Sequence, residues 1–266
     1  MTRKRRQLSR PAVARPSILF AVSPPVSSAS STTAIESFVK GAGRVAAFVW
    51  RHRWSVPLSV LATLSFANLA SELSDDDIGE FDRVVAQTVH GIRGDLDPVL
   101  LFLTRVGEGR SLLVITVAAV AVLAWRRKKR EAVFLTVATT GTLVLNILLK
   151  LAFRRARPEA ALYVISLPGS FSFPSGHALG ATGVFLSLLV VARALGARGL
   201  PLLLLLAATG MLIAGIAVSR VYFGVHYPSD VIGGILAGFG WISAVTGYFY
   251  PRLLPGERAL ATPPLT

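Results

Sequence analysis

Long apolar runs alternate with short polar stretches along the chain, and six runs stand out: 54–71, 111–125, 132–149, 178–192, 200–218 and 231–250. An α-helix rises 1.5 Å per residue, so crossing a hydrocarbon core of about 30 Å takes about 20 apolar residues. The runs at 111–125 and 178–192 reach that length only with their flanking residues. The pattern predicts an all-α polytopic membrane protein, a bundle of six transmembrane helices. Two weaker signals lie between the first and second runs. Residues 81–89 have the amphipathic spacing of a helix lying on a membrane surface. Residues 98–104 read as part of an interfacial or re-entrant helix.

Composition supports this reading. Mean hydropathy is +0.60 and only 16% of residues are charged, too apolar for an ordinary soluble domain. The 266 residues include no cysteine, which excludes disulfides and thiolate metal sites. A net charge of +14 would suggest nucleic-acid binding in a soluble protein. Here the cations cluster at the ends of apolar runs, where anionic lipid is the better partner, so no nucleic-acid partner is expected.

Charge also orients the chain. The basic leader, the turn at 126–130, Arg193 with Arg198, and Arg252 with Arg258 fall on one side of a six-span topology. The positive-inside rule makes that side cytoplasmic. The opposite loop, 72–108, holds most of the chain's 14 acids and is a candidate lid. The expected organisation is a basic, largely disordered cytoplasmic leader at 1–53, a membrane domain at 54–250 and a cytoplasmic tail at 251–266. The apolar stretch 18–22 is too short for the core of a secretory signal. A cell membrane is expected, with an organellar membrane as the lesser alternative, since the leader is rich in arginine and serine.

One basic cluster breaks the charge rule. Lys150, Arg154, Arg155 and Arg157 lie at the outer end of the third run. Taken singly, Arg154 or Arg155 reads as a span-end arginine reaching to lipid headgroups. The cluster shares its membrane face with two other polar segments, Phe173-Pro174-Ser175-Gly176-His177 and the stretch from Ser219-Arg220 to His226 and Asp230. Cations with few counter-ions suit a phosphate. Pro174-Ser175-Gly176 opens a helix whose free N–H groups face the same anion. Asp230, four residues beyond His226 and past a helix-starting Pro228, can accept a proton from one imidazole nitrogen and leave the other nucleophilic. His177 is a second imidazole able to protonate a leaving alkoxide. Gly233, Gly234, Gly238 and Gly240 read as helix-packing contacts, Asn146 as an interhelical hydrogen-bonding group, and His52 and His90 as incidental.

These three segments resemble the signature of the type 2 phosphatidic acid phosphatase superfamily, which shares its site with vanadium haloperoxidases. The signature runs Lys, six residues, Arg-Pro; then Pro-Ser-Gly-His; then Ser-Arg, five residues, His, three residues, Asp. Lys150, Arg157, Pro158, Pro174, Ser175, Gly176, His177, Ser219, Arg220, His226 and Asp230 fill every position. The resemblance covers roughly 54–250. It implies phosphate-ester hydrolysis without metal or other cofactor, acting on a membrane lipid phosphate or pyrophosphate. By that likeness His226 attacks phosphorus and becomes a phosphohistidine, Asp230 orients it, and His177 protonates the leaving group. Lys150, Arg157 and Arg220 hold the phosphate oxygens with Ser175 and Gly176, while Pro158, Pro174 and Ser219 support the pocket. A lipid phosphotransferase could use the same site, and a non-enzymatic lipid-phosphate binder or transporter is the other class. Transport sites, however, usually lie near the bilayer midplane, and these residues lie at span ends. A haloperoxidase would be soluble, which six apolar spans oppose.

Overall fold

All six apolar runs fold as helices, close to the boundaries that their composition sets. The computed structural model describes residues 54–74, 76–91, 94, 96–158 and 169–253. The leader expected at 1–53 and the tail beyond residue 253 lie outside the described residues. In chain order the helices are α1 (Ser55–Ser71), α2 (Asp76–His90), α3 (Asp97–Val106), α4 (Gly109–Trp125), α5 (Lys129–Phe153), α6 (Gly176–Ala194), α7 (Gly199–Tyr222) and α8 (Pro228–Leu253), with a short 3₁₀ turn at Glu72–Ser74.

Four of these, α5 to α8, are each long and apolar enough to cross a membrane. Together α3 and α4 also qualify, as a pair bent by 55°. The apolar α1 has 17 residues, about 26 Å of helix, and falls short of the hydrocarbon thickness. The described residues thus hold four spans, or five with the bent pair, where the hydropathy pattern predicts six. Residues 98–104 belong to α3, the upper limb of that pair. At the bend, Gly107 permits close approach: a Cβ there would lie 2.4 Å from Ile216 Cγ2 and 3.3 Å from His177 Cδ2.

The centre of the bundle is α6, which touches α4, α5, α7 and α8; α1 lies along α8 and α3 along α7. With 25 residues, α5 is about 37 Å long and separates the basic turn at 126–130 from Lys150. The starts of α4, α6 and α8 and the end of α7 lie at the Lys150 end, so Arg193 and Arg198 lie at the other. Among the described residues, the turn at 126–130 and Arg193 with Arg198 thus share the end opposite Lys150. At the Lys150 end, Phe173 stacks on Phe66 at 5.6 Å and meets Phe153 edge-on at 5.0 Å. At the far end Phe134, Leu135, Ala138, Val191, Ile242 and Val245 form an apolar core.

Small residues set the helix spacings, as their positions suggest. A Cβ on Gly233 would meet the Phe173 ring at 2.5 Å, and one on Gly238 would meet Thr182 at 2.9 Å. The tightest case is Gly141, where a Cβ would lie 2.0 Å from Trp241 Cζ2. The Trp241 indole N–H donates to the Ala138 carbonyl at 2.9 Å and so cannot retreat without losing that bond. Gly141→Ala should cost about 1–3 kcal/mol through overpacking, seen as a lower thermal unfolding midpoint in detergent micelles.

Candidate active site

Three loops at the Lys150 end carry the site, and local sequence explains each. Arg154 closes α5 in the left-handed region (φ +47°), turning the chain so that Arg155 and Arg157 face the bundle. Ser175 is the N-cap of α6. The rigid Pro228 starts α8, leaving His226 in the connection after α7.

His226 is 3% exposed and Asp230 fully buried. The imidazole has a different partner at each nitrogen. Asp230 Oδ2 lies 3.3 Å from Nδ1, and Arg157 Nη1 lies 3.2 Å from Nε2. A carboxylate only accepts and a guanidinium only donates, so Nδ1 carries the proton and Nε2 holds the lone pair. Burial pushes the His226 pKa down to about 4; hydrogen bonding and charge from Asp230 oppose the shift, and Arg157 and Arg220 add to it. His226 is therefore neutral at pH 7. The protonated form becomes the majority only below about pH 4, so nucleophilic character is retained above that value and lost below it. In ¹⁵N-histidine NMR of the micellar protein, His226 should keep neutral-imidazole shifts from pH 7 to pH 5, where an ordinary histidine would have titrated.

The other signature residues gather around this pair with distinct partners. Arg157 also donates from Nη1 to the Val225 carbonyl at 2.6 Å and from Nε to the Ser170 carbonyl at 2.8 Å. Lys150 Nζ donates to the Phe171 carbonyl. Arg220, 2% exposed, donates from Nη1 to Thr104 Oγ1 on α3, while its Nε has no acceptor. His177 Nε2 and Ser175 Oγ are likewise buried without a hydrogen-bond partner. Such groups are costly to leave unpaired, and here they collect beside several cations. The Ser175 amide donates to the Asp230 carbonyl at 2.9 Å, so only its hydroxyl remains for an anion. Ser219 bonds its own helix at the Ile216 carbonyl.

Lys150, Arg157, Gly176, His177 and His226 line the mouth of a cavity of about 650 Å³ that continues between α4, α5 and α6. Its apolar lining includes Leu112, Val117, Val120 and Leu143. Thr136, Thr139 and Thr142 also line it, with hydroxyls bonded to carbonyls four residues back. Along α5 the cavity runs from Lys150 to Thr136, about 21 Å. A charged mouth thus leads into an apolar channel.

Sequence reasoning missed several residues that contact the pair. Ser172 Oγ donates to Asp230 Oδ2, and the Tyr227 amide donates to the same oxygen at 3.0 Å. Arg155, read singly as a headgroup-facing arginine, instead bonds Asp230 Oδ1 at 2.7 Å and Asp82 Oδ2 at 2.8 Å. Burial disfavours its charge, but the Asp230 and Asp82 carboxylates outweigh that and raise its pKa above the ordinary guanidinium value. The detectable signal was Asp82, an acid on the apolar stripe of α2. His90, taken as incidental, bonds the Val221 carbonyl at 2.9 Å and ties α2 to α7. Asn146 Oδ1 has no hydrogen-bond partner, contrary to the interhelical bond expected of it, and the side chain lines the cavity beside Gly176.

The chain is similar in sequence and fold to known proteins. The sequence model of the PAP2 superfamily matches residues 131–253. Phosphatidylglycerophosphatase B of Bacillus subtilis (strain 168) is 30% identical over 187 residues, 70% of this chain and 91% of that protein. Undecaprenyl-diphosphatase BcrC of the same organism is 24% identical over 63% of this chain and 81% of its own. Lipid A 1-phosphatase of Rhizobium etli (strain ATCC 51251 / DSM 11541 / JCM 21823 / NBRC 15573 / CFN 42) is 28% identical over 75% and 86%. The crystal structure of a transmembrane PAP2-type phosphatidylglycerolphosphate phosphatase from Bacillus subtilis superposes with a TM-score of 0.64 at 26% identity, covering 71% of this chain and 94% of that one.

Proposed function

The chain belongs to the PAP2 superfamily and is a membrane phosphatase acting on lipid phosphates, and from that premise we propose that it hydrolyses its substrate through a phosphohistidine on His226. The observation that carries this reading is the two-sided environment of the imidazole. Asp230 fixes the proton on Nδ1, while Nε2 faces the guanidinium of Arg157 at the mouth of the cavity. A phosphate drawn to Arg157, Lys150 and Arg220 would bring phosphorus to the Nε2 lone pair.

Attack by Nε2 forms a nitrogen–phosphorus bond and breaks the bond from phosphorus to the leaving oxygen. His177 then delivers a proton to that oxygen. Water next attacks the phosphohistidine with His177 as base, releasing inorganic phosphate and restoring His226. Three cations and the donors of Ser175 and Gly176 supply the charge stabilisation that the transition state needs, so no metal ion is required. The lipid tail would lie in the channel between α4, α5 and α6, which favours phosphatidic acid, phosphatidylglycerol phosphate or isoprenoid pyrophosphate over soluble esters. The cations sorted to the opposite end of the bundle support a site facing away from the cytoplasm, in a cell membrane.

The test is phosphate release from a panel of those lipids in mixed micelles, with and without chelator. Release should persist in chelator and be fastest for one lipid of the panel. Loss of release in chelator, restored by a divalent metal, would overturn the mechanism.

A further inference from the structure

Asp82 lies on the stripe of α2 that faces the bundle, together with Ile78, Val85, Ala86 and Val89, and is 2% exposed. A carboxylate in such a setting is unfavourable unless its oxygens are fully paired. They are paired, and every partner lies beside Asp230. Oδ1 accepts the Ser229 amide at 2.8 Å, and Oδ2 accepts the Ser229 hydroxyl at 2.6 Å and Arg155 Nη2 at 2.8 Å. The other arm of Arg155, Nη1, donates to Asp230 Oδ1 and to Ser229 Oγ, each at 2.7 Å. Its guanidinium carbon lies 4.2 Å from the centre of the Tyr227 ring, which limits its movement out of this plane.

The two oxygens of Asp230 therefore have separate tasks. Oδ1 is held by Arg155, while Oδ2 faces His226, Ser172 and the Tyr227 amide. A carboxylate turns freely about its Cβ–Cγ bond unless both oxygens are held. Arg155 holds the oxygen remote from the imidazole, and Asp82 holds Arg155. We propose that Arg155 and Asp82 are positioning residues that fix the rotation of Asp230 toward His226, so that α2 belongs to the catalytic apparatus. This rests on the assignment of Asp230 and His226 as the orienting carboxylate and nucleophile.

The relay predicts a specific pattern of defects. Losing one charge-assisted hydrogen bond corresponds to about a 10- to 100-fold effect on rate. Asp82→Asn and Arg155→Gln should each lower kcat by about that much, since misoriented Asp230 weakens the nucleophile but leaves the phosphate clamp intact. KM and the inhibition constant of inorganic phosphate should stay within about twofold. The two residues act in series, so the double variant should be no slower than Arg155→Gln alone. The groups facing His226 are Asp230 from α8, Arg157 from the segment after α5, Arg220 from α7 and His177 from α6. Removing the Arg155 charge leaves Asp230 less neutralised, which favours imidazolium, so His226 should titrate at higher pH in Arg155→Gln. Glu80→Gln, on the exposed side of α2, should match wild type throughout.

The measurement uses the full chain in micelles with phosphatidylglycerol phosphate, or whichever lipid of the panel is hydrolysed fastest. If Arg155→Gln does not yield folded protein, Arg155→Lys carries the test, because it keeps the charge but loses the planar fork that gives each carboxylate its own nitrogen. Asp230→Asn separates the two levels. If it leaves kcat unchanged, the reading of the site fails. If it lowers kcat while the Asp82 and Arg155 effects multiply, or fall on KM and phosphate inhibition alone, only the relay is overturned.

Discussion

Purified His226→Ala protein is expected to release phosphate at less than about one-thousandth of the wild-type rate, because the proposed covalent route has no substitute once its nucleophile is removed. His226 Nε2 is the imidazole nitrogen turned toward Arg157, and no other described side chain offers a neutral lone pair held by a carboxylate in this way. Alanine leaves the clamp residues in place, so the variant should still bind inorganic phosphate. Labelled substrate sharpens the test. Wild-type protein quenched in alkali should carry acid-labile label, and His226→Ala should carry none. His177→Ala should still become labelled from p-nitrophenyl phosphate, whose phenolate departs without a proton, and should then lose label slowly for want of a base. Label retained in His226→Ala would place the nucleophile elsewhere.

Arg157→Lys is expected to lower kcat/KM by about 100- to 1,000-fold, the scale seen when one preorganised donor to a developing anion is lost. The substitution preserves charge, so the effect isolates geometry. Arg157 uses Nε for the Ser170 carbonyl and Nη1 for both the Val225 carbonyl and His226, an arrangement that depends on the planar fork. A lysine presents a single nitrogen and cannot hold the loop before α6 while addressing phosphate. A loss of less than tenfold would show that charge alone suffices at this position.

Much of this site was legible in the sequence because its parts are local. Pro228 starts α8 as its fixed φ allows, and Ser175 stands at the N-cap position of α6. The four-residue spacing from His226 to Asp230 brings imidazole and carboxylate together at the head of one helix. The six apolar runs became helices because hydrophobic length is a property of consecutive residues. Long-range features were hidden. Arg155 looked like any arginine at a span end, since its carboxylate partners lie 73 and 75 positions away. Asp82 was masked by the acids around it in 72–108. Only its place between Ile78 and Ala86 on one helix face distinguishes it. The 55° bend between α3 and α4 escaped for a similar reason. Gly107 is an unremarkable glycine until Ile216 and His177 are packed against it.

The bond from the Ser175 amide to the Asp230 carbonyl bears on how such an enzyme can change its diet over evolution. It joins the loop before α6 to the start of α8 through backbone alone, so no replacement except proline at 175 deletes it directly. The spacing between the reaction's two halves is therefore insulated from mutational drift, while the channel walls on α4 and α5 remain free to vary. New lipid preferences can arise there by single steps, with the chemistry inherited unchanged.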